Sequence, residues 1–593
     1  FVFLAGLTEK SVRLGTACVS LVGVGAVYGL ARRVYGVRPA WATFAVFATT
    51  PLWYLHSRTG FEYVVATSFF LAFALCYLLA LREHGAWAIP AAISAAAAFY
   101  SYTPARGWVA VGLTLLAIIN LPEHLRRWRV SLGAVALLAL LLAPALYVQW
   151  NRPDVAMKRL EALGFREFRQ KPVADQVRQI ASNYAQGLDP RFWYTWSGTQ
   201  NSGPMERHVV AGLPQLPPWT APFAAIGLGA VLLRLGRVEH RTLLALVIAS
   251  LSSASLVGFN NARAMPVGVL LLVLSLIGLG RVWSLVARRA AVERVAALGL
   301  AAALAVNAVL FQTYVFDSAR YAYADYGFYG VQMGAPEVFR WIARHHQEYR
   351  RIRVSHGAFN AAYIFIPFYL RGEAARKTTV DDFGTFCRAD ARLPADVLYV
   401  ASVGTFDELR SRACPVRERV VATIPDLRGQ PLFRMSRLER APDFADWLLR
   451  EQRVRETPVR ETVRHRGGPI EIEHSALDIG EAQAIFDGDL ATLARSAGVN
   501  PARFLVQLPG TTIRRVRVTV SHTGAEEIAV RTRSGEGERE WGVKRFSDAP
   551  GDVMEIDFES PVAVPGVTAL EVHLHVTNMD RNGFVHVNEI DWD

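Results

Sequence analysis

The first half of the chain alternates between long apolar stretches and short polar clusters. Ten apolar stretches precede residue 315, at 11–33, 38–55, 61–82, 87–102, 105–121, 130–149, 219–236, 241–258, 264–282 and 294–314. Several are shorter than the ~20 residues that a helix needs to cross a bilayer core of about 30 Å. The pattern predicts an α-helical polytopic membrane bundle of about ten transmembrane helices, with kinked or partly re-entrant segments around Pro104.

The arginines between these stretches are distributed unequally. If every stretch spans the membrane and 150–218 is one outer loop, the loops at 31–40, 82–86, 122–129, 234–241 and 281–294 share one side and carry 14 arginines. The short loops on the other side carry only Arg58, Arg106 and Arg263. The positive-inside rule makes the arginine-rich side cytoplasmic. Residues 150–218 and everything after 314 are then expected to be extracytoplasmic.

Charge and cysteine content add little to this interpretation. The formal net charge is +12, but the arginines of the first half lie mostly between apolar stretches and no nucleic-acid-binding motif occurs. We therefore expect no nucleic-acid partner. Cys18 and Cys76 lie in apolar stretches and are expected in the core. Cys387 and Cys414 lie in the second half, where a disulfide could form if that half is outside the cytoplasm.

Polar side chains of the arginine-poor side are candidates for a binding site. The arginines are Arg58, Arg106, Arg207 and Arg263, and their polar neighbours are His56, Tyr100, Tyr102, His208, Gln215, Asn260 and Asn261. A charge at a membrane boundary is costly unless it faces a polar cavity or a partner. Guanidinium groups donate bidentate, charge-assisted hydrogen bonds that match phosphate. The set predicts a phosphate site, with the neighbours as substrate contacts.

Each of these residues also has a structural interpretation. The arginines could extend to lipid head groups or cap helix ends. The tyrosines could form an interfacial aromatic belt. His208 could be a metal ligand or a hydrogen-bonded loop residue. Glu62 could orient a sugar or form a helical i,i+4 pair with Arg58, and we assign it at most an accessory catalytic role.

Four segments together resemble a known family. They are GLTEKSVRLGTACVSLVGVGAVYGLARRVYG (6–36), ATTPLWYLHSRTGFE (48–62), AAFYSYTPARGWV (97–109) and RHVVAGLPQL (207–216). Their order is similar to the GT-C class of polyprenyl-phosphate-dependent glycosyltransferases, which includes bacterial protein O-mannosyltransferases and aminoarabinose lipid A transferases. The resemblance covers roughly residues 1–370. No P-loop, dinucleotide-binding or zinc-protease motif occurs.

The resemblance implies an integral-membrane, inverting glycosyltransferase of the bacterial cytoplasmic membrane. Such enzymes move a sugar from a polyprenyl-phosphate carrier to an extracytoplasmic lipid, glycan or protein acceptor, with an acidic base in the first outer loop. That loop is expected upstream of Phe1, so the chain as given is expected to be inactive. The resemblance leaves the sugar, the acceptor and any divalent metal undefined.

The second half of the chain predicts two extracytoplasmic domains. Alternating helices and strands indicate a small α/β domain over 319–445, after a membrane domain over 1–318. A charged segment with Gly and Pro at 446–475 reads as a linker. Short strand-length alternations over 476–593 indicate a β-sandwich.

The predicted sandwich resembles the discoidin-like, galactose-binding-like family. The resemblance lies in AIFDGDLATLARS (484–496) and the closing VHVNEIDW (585–592). Leu493 stands where that family has an aromatic residue, which weakens the case for sugar recognition. Asp487 and Asp489 could hold a structural calcium ion, or they could form a simple turn.

Two other classes of function fit the same chain. One is a multispanning transporter or flippase of lipid-linked intermediates, which would favour charges deep within helices or repeated halves. The other is a non-catalytic envelope scaffold that presents the sandwich. We see neither deep charges nor repeats clearly in the sequence, so the transferase is the preferred prediction.

Overall fold

A computed structural model provides the fold. It describes residues 6–152, 165–195, 209–210, 212–316, 334–359, 362–381, 383, 393–411, 415–426, 429–490, 492–496, 499, 501–520, 527–545, 554–575 and 585–593. The chain divides into two compact units. The first comprises Phe1–Arg344, Phe359–Ala375 and Ile424–Leu432, and the second comprises His345–Ala358, Arg376–Thr423 and Phe433–Asp593.

In the described residues before the first strand, the regular elements are helices. They are α1 (Glu9–Gly29), α2 (Ala42–Ala48), α3 (Pro51–Arg58), α4 (Glu62–Arg82), α5 (Ala88–Ser101), α6 (Ala105–Ile119), α7 (Leu121–Arg126), α8 (Trp128–Asn151), α9 (Phe165–Gln170), α10 (Val173–Leu188), α11 (Pro190–Tyr194), α12 (Ala221–Leu232), α13 (Val238–Ser250), α14 (Ser252–Val257), α15 (Met265–Val286), α16 (Ala290–Phe316) and α17 (Ala335–His345). A π-helical turn, Leu30–Val34, extends α1. Within the described ranges, α1 with this turn, α4, α8, α15 and α16 are long and apolar enough to cross a membrane.

The ten predicted apolar stretches are helical, but ten membrane-crossing helices are not confirmed. The stretch at 38–55 is divided, because α2 ends at Ala48 and Pro51 begins α3. Proline lacks the N–H that would continue a helix, and it suits a first helical turn. The stretch at 241–258 is divided between α13 and α14, after which Gly258 has a positive φ of 98°.

The helices differ in how deeply they are buried within the unit. In the most apolar window of α4, 78% of residues are buried, whereas in the corresponding window of α8 none is. A helix that is apolar on all sides must lie in a protein core or face lipid. We therefore place α4 in the centre of the bundle and α8 at its periphery.

Helices α12 and α15 cross in direct backbone contact. A Cβ atom on Gly227 would lie 1.9 Å from the carbonyl oxygen of Leu274, and one on Gly278 would lie 1.9 Å from the carbonyl oxygen of Phe223. Small residues allow membrane helices to pack this closely, and van der Waals contact then holds them together. The crossing therefore depends on the absence of side chains at Gly227 and Gly278.

A polar network links three helices at the arginine-rich end of the bundle. Arg241 donates to Glu123 Oε1 and to Asn120 Oδ1, both at 2.6 Å. The Asn120 amide donates to the Tyr77 hydroxyl and to Thr242 Oγ1, both at 2.9 Å. Buried polar groups are tolerated when they are bonded in this way. The network therefore joins α4, α7 and α13 through Asn120, the residue between α6 and α7.

A five-stranded sheet follows α17 in the chain, and most of its residues belong to the second unit. The strands are β1 (Arg351–Ser355), β2 (Thr378–Asp381), β3 (Val397–Ser402), β4 (Val416–Pro425) and β5 (Pro431–Arg440), in the order β2-β1-β3-β5-β4. β1 is parallel to β2 and β3, and β5 is antiparallel to β3. Helices α20 (Val403–Ser411) and α21 (Phe444–Glu456) belong to the second unit. Helix α18 (Ala362–Tyr369) belongs to the first unit, which also contains α19 (Gly372–Lys377) as far as Ala375.

The C-terminal region is β-rich. Its strands are β6 (Val459–His465), β7 (Gly468–His474), β8 (Leu477–Ile479), β9 (Ala494–Ser496), β10 (Ala502–Val520), β11 (Glu527–Ser534), β12 (Gly537–Arg545), β13 (Met554–His575), β14 (His586–Val587) and β15 (Glu589–Trp592). One sheet has the order β12-β11-β13-β10-β7-β6 with β15 beside β10, and a second has the order β14-β9-β8. Buried apolar side chains of both sheets form one core cluster.

The segment predicted as a linker, 446–475, has regular structure. α21 extends to Glu456, and β6 and β7 form a hairpin whose turn has positive φ at Arg466 and Gly467. β7 then pairs with β10 of the main sheet. The linker prediction is wrong here because charged residues alternate with Val463, Ile470 and Ile472, which is a strand pattern with one polar face.

We expect Gly227→Ala to destabilise the helical unit. The new methyl group would force apart the backbones of α12 and α15, and overpacking of this kind costs about 1–3 kcal/mol. Thermal unfolding in detergent, followed by intrinsic fluorescence, should show a lower midpoint. Gly229→Ala on the same helix is the matched control, since a Cβ there meets nothing within 4 Å. Equal midpoints for both variants would contradict the proposed contact.

Candidate functional site

The polar segment at 56–62 lies at a break between two helices. His56, Ser57 and Arg58 belong to the end of α3, and only Thr59, Gly60 and Phe61 separate them from α4. Gly60 has a φ of 72°, which favours glycine. Arg58 and Glu62 therefore lie in different helices, and the predicted helical i,i+4 arrangement is wrong.

Arg58 stacks on an aromatic ring at the end of α3. Its guanidinium carbon lies 3.8 Å from the centroid of the Tyr54 ring. Tyr54 is buried and packs edge-on against Phe311 of α16 at 5.1 Å between centroids. Arg58 itself is exposed. A cation–π contact with the face of the ring needs none of the guanidinium N–H groups as hydrogen-bond donors.

His56 is fully buried, unlike Arg58. Its Nδ1 lies 2.6 Å from the carbonyl oxygen of Leu52, and its ring packs edge-on against Tyr63 at 4.7 Å between centroids. Tyr63 in turn packs edge-on against Tyr102 at 5.8 Å. His56 therefore contacts the candidate Tyr102 through an intervening aromatic ring, and its position suits a supporting role better than direct substrate contact.

Arg263 is held by its own loop. Its Nη1 donates to the carbonyl oxygen of Gly258 at 2.8 Å, and its backbone N–H donates to Asn260 Oδ1 at 2.9 Å. Burial lowers the pKa of Arg263, and the nearby Tyr102 opposes that shift. Asn260 and Asn261 are buried. The structure thus brings Arg263, Asn260 and Tyr102 together.

Arg106 and Gln215 each have a buried polar atom without a hydrogen-bond partner. The atoms are Arg106 Nε and Gln215 Nε2. The Arg106 guanidinium lies 5.4 Å from the Phe99 ring centroid, and Gln215 accepts a hydrogen bond from the Leu52 N–H through its backbone oxygen. Unsatisfied buried donors are costly, so we expect each to bond to a ligand or to water.

Tyr100 is not directed towards the other candidates. Its hydroxyl donates to the carbonyl oxygen of Leu141 in α8 at 2.9 Å, and 49% of the residue is exposed. Such a contact fits the alternative of an interfacial aromatic residue. Arg207 and His208 lie outside the described residues, as do Cys387 and Cys414.

Three residues with contacts in the helical unit were not among the sequence candidates. Tyr54 and Tyr63 connect the candidates, but as aromatic residues in apolar stretches they carry no signal of function. Glu9 accepts a hydrogen bond from the Tyr369 hydroxyl at 2.7 Å and lies 4.0 Å from Arg340. Glu9 is the only carboxylate in the first turn of α1. Its position at a helix start is a signal in the sequence that could have made it a candidate.

The C-terminal region holds a second polar cluster. Asp487 Oδ1 accepts hydrogen bonds from the Asp489 N–H at 2.8 Å and from Thr492 Oγ1 at 3.0 Å. Glu589 Oε2 accepts from the Gly488 N–H at 3.2 Å. Burial raises the pKa of Glu589 to about 7, and Asp487 adds to the shift. In the described part of the chain, no group of three or more His, Cys, Asp or Glu residues forms a metal site.

The N-terminal segment of the chain matches a known protein family. Residues 1–148 match the family described as dolichyl-phosphate-mannose-protein mannosyltransferase. The resemblance seen in the sequence is confirmed over this segment. The match contains α1 to α7 and most of α8, and with them Arg58, Glu62 and Arg106. A comparison with curated proteins found no match.

Solved structures give further likenesses, all at low identity. ArnT from Cupriavidus metallidurans in the apo state has 14% identity and a TM-score of 0.43, and the form bound to undecaprenyl phosphate has 16% and 0.41; each match covers 73% of this chain and 85% of that one. The family 32 carbohydrate-binding module of C. perfringens NanJ, in complex with galactose, has 10% identity and a TM-score of 0.18 over 21% of this chain and 92% of that one. At these TM-scores no likeness carries an argument about this chain's ligand.

Two substitutions of Asp487 separate a turn from a calcium site. In a turn, Asp487→Asn keeps an oxygen that accepts from Asp489 and Thr492, so it should be tolerated, whereas Asp487→Ala should cost about 1 kcal/mol. At a calcium site both variants should be destabilised, because the ion needs the charged ligand. Unfolding midpoints with calcium and with a chelator measure the difference. We expect Asp487→Asn to be tolerated and Asp487→Ala to be destabilised, as in a turn. A calcium-dependent unfolding midpoint in the unsubstituted protein would contradict this expectation.

Proposed function

We propose that the chain is a membrane glycosyltransferase that moves a sugar from a polyprenyl-phosphate carrier to an acceptor. The match of residues 1–148 to the mannosyltransferase family carries this proposal. The apolar helices support it, since a polyprenyl chain requires a lipid environment and five described helices can cross a membrane. The acceptor class (lipid, glycan or protein) and the sugar are left open by this proposal.

The arrangement of Arg58 and Arg263 suits the leaving group of such a reaction. When the anomeric C–O bond breaks, negative charge develops on the departing lipid phosphate, and a fixed guanidinium stabilises that charge. Arg58 is positioned by the Tyr54 ring and Arg263 by the Gly258 carbonyl oxygen. Both are therefore oriented before a substrate binds, which reduces the cost of binding.

We infer that the reaction inverts the anomeric configuration. A single displacement needs one carboxylate to take the proton of the acceptor hydroxyl. Glu62 begins α4, directly after the break that follows Arg58, and it is exposed. This location favours an accessory catalytic role for Glu62 next to the proposed phosphate site. In the family that the sequence resembles, the base lies in a loop that precedes the helix matching α1.

Substitution of Arg58 tests the phosphate site in the natural protein. Arg58→Ala should reduce transfer of labelled sugar from undecaprenyl phosphate by about 10²–10³-fold, the loss typical of one transition-state donor. Arg58→Lys should recover part of the activity, because it keeps the charge and loses the planar fork. Arg126→Ala is the control, since Arg126 is an exposed arginine at the end of α7.

Several outcomes would contradict the proposal. Unchanged transfer in Arg58→Ala would remove this residue from the phosphate site. Absence of transfer from any polyprenyl-phosphate sugar would contradict the enzyme itself. If labelled lipid crossed the bilayer without losing its sugar, the transporter alternative would be supported.

A further inference from the structure

A cavity lies at the opposite end of α4 from Arg58 and Glu62. It has a volume of about 550 Å³, and residues of α4 to α8 line it. This volume falls within the range of about 300–1,000 Å³ that is usual for small-molecule sites. We call it the alanine cavity, because Ala88, Ala91, Ala92 and Ala95 of α5 form one of its walls.

The walls of the alanine cavity are apolar. Phe73 of α4, Leu113 of α6 and Leu138 of α8 line it together with the alanines. The four alanines recur at a spacing that places them on one face of α5. Because α8 is peripheral and its apolar window is not buried, the cavity lies between the bundle and a helix that faces lipid. Hydrocarbon is therefore the medium next to it.

One end of the cavity is polar and carries positive charge. Arg127 and His124 line it. Arg127 uses Nη1 to donate to the carbonyl oxygen of Ala80, which leaves other donors of its guanidinium for a ligand. His124 Nε2 lies 3.0 Å from the Tyr77 hydroxyl. The nearby carboxylate of Glu123 is paired with Arg241 at 2.6 Å and so does not neutralise Arg127.

We propose that the alanine cavity binds an anionic phospholipid. One acyl chain occupies the apolar space, and the phosphate of the head group lies at Arg127. An apolar cavity with a cationic mouth at a helix end matches a molecule with the same division between an anionic head and a hydrocarbon tail. The bound phospholipid comes from the arginine-rich side of the membrane.

The position of the cavity distinguishes it from the proposed donor site. α4 has 21 residues, which corresponds to about 31 Å at ~1.5 Å per residue. Arg58 lies just before its first residue, whereas Ala80 and Leu81 of the cavity lie at its last turn. A sugar carrier whose phosphate is bound at Arg58 cannot place that phosphate at Arg127 as well.

Lipid binding to the purified full chain tests this proposal without any transferase assay. Native mass spectrometry with added phosphatidylglycerol or phosphatidylcholine measures retention of each lipid. We expect the unsubstituted protein to prefer phosphatidylglycerol. Ala92→Phe should fill the cavity and reduce binding by about tenfold or more. Ile93→Phe is the matched control, since Ile93 is the next residue of α5 and is 51% exposed.

A second pair of variants tests the head-group contact and leaves the apolar walls of the cavity unchanged. Arg127→Gln should reduce the preference for phosphatidylglycerol by about fivefold, since one interfacial arginine contributes about that much to binding an anionic lipid. Arg126→Gln should leave the preference unchanged. If Ala92→Phe fails to fold, the Arg127 pair decides the question.

Three results would overturn the proposal. They are equal binding of both lipids to the unsubstituted protein, unchanged phosphatidylglycerol binding in Ala92→Phe, and unchanged preference in Arg127→Gln. Retention of undecaprenyl phosphate with no retained phospholipid would also overturn it while supporting the proposed transferase. Failure of sugar transfer with normal phosphatidylglycerol binding would instead contradict only the proposed function.

Discussion

The low polarity of the bilayer interior is the constraint on which the helical unit depends. A charged or hydrogen-bonding side chain inside it must either lie at the end of a helix or bond to another protein group. Arg241, Asn120 and Tyr77 satisfy this requirement by bonding to one another where three helices end. Arg58 satisfies it differently, by stacking on Tyr54 at an exposed helix end.

The same constraint gives the two ends of the bundle different chemistry. At one end, Arg58 stacks on the Tyr54 ring and Arg263 donates to the carbonyl oxygen of Gly258. At the other end, Arg241 is paired with Glu123, and Arg127 lines an apolar cavity. Both arrangements fit amphipathic ligands with an anionic head group. The proposed donor site and the proposed phospholipid site would therefore each bind a lipid phosphate next to hydrocarbon.

Predictions from sequence succeeded where one property of the chain decides the outcome. Helix positions follow from apolar length, and the strands follow from alternation, so both were found. The pairing of Arg58 with Glu62 failed because Gly60 breaks the helix between them, and a four-residue spacing carries no information about such a break. The linker at 446–475 failed because charged residues on one face of a strand resemble a polar connection when the opposite face is ignored.

The sequence alone determined which segments are helical, where the arginines lie relative to them, and the family resemblance, which the family match confirms over residues 1–148. These properties depend on neighbours in the chain. Only the tertiary structure decided which arginines are positioned and by what, since Tyr54 meets Phe311 and Tyr63 meets Tyr102 across long sequence separations. The polar segment at 56–62 shows the difference. Its polarity was evident from the sequence, but burial of His56 and exposure of Arg58 depend on the packing of α3 against its neighbours.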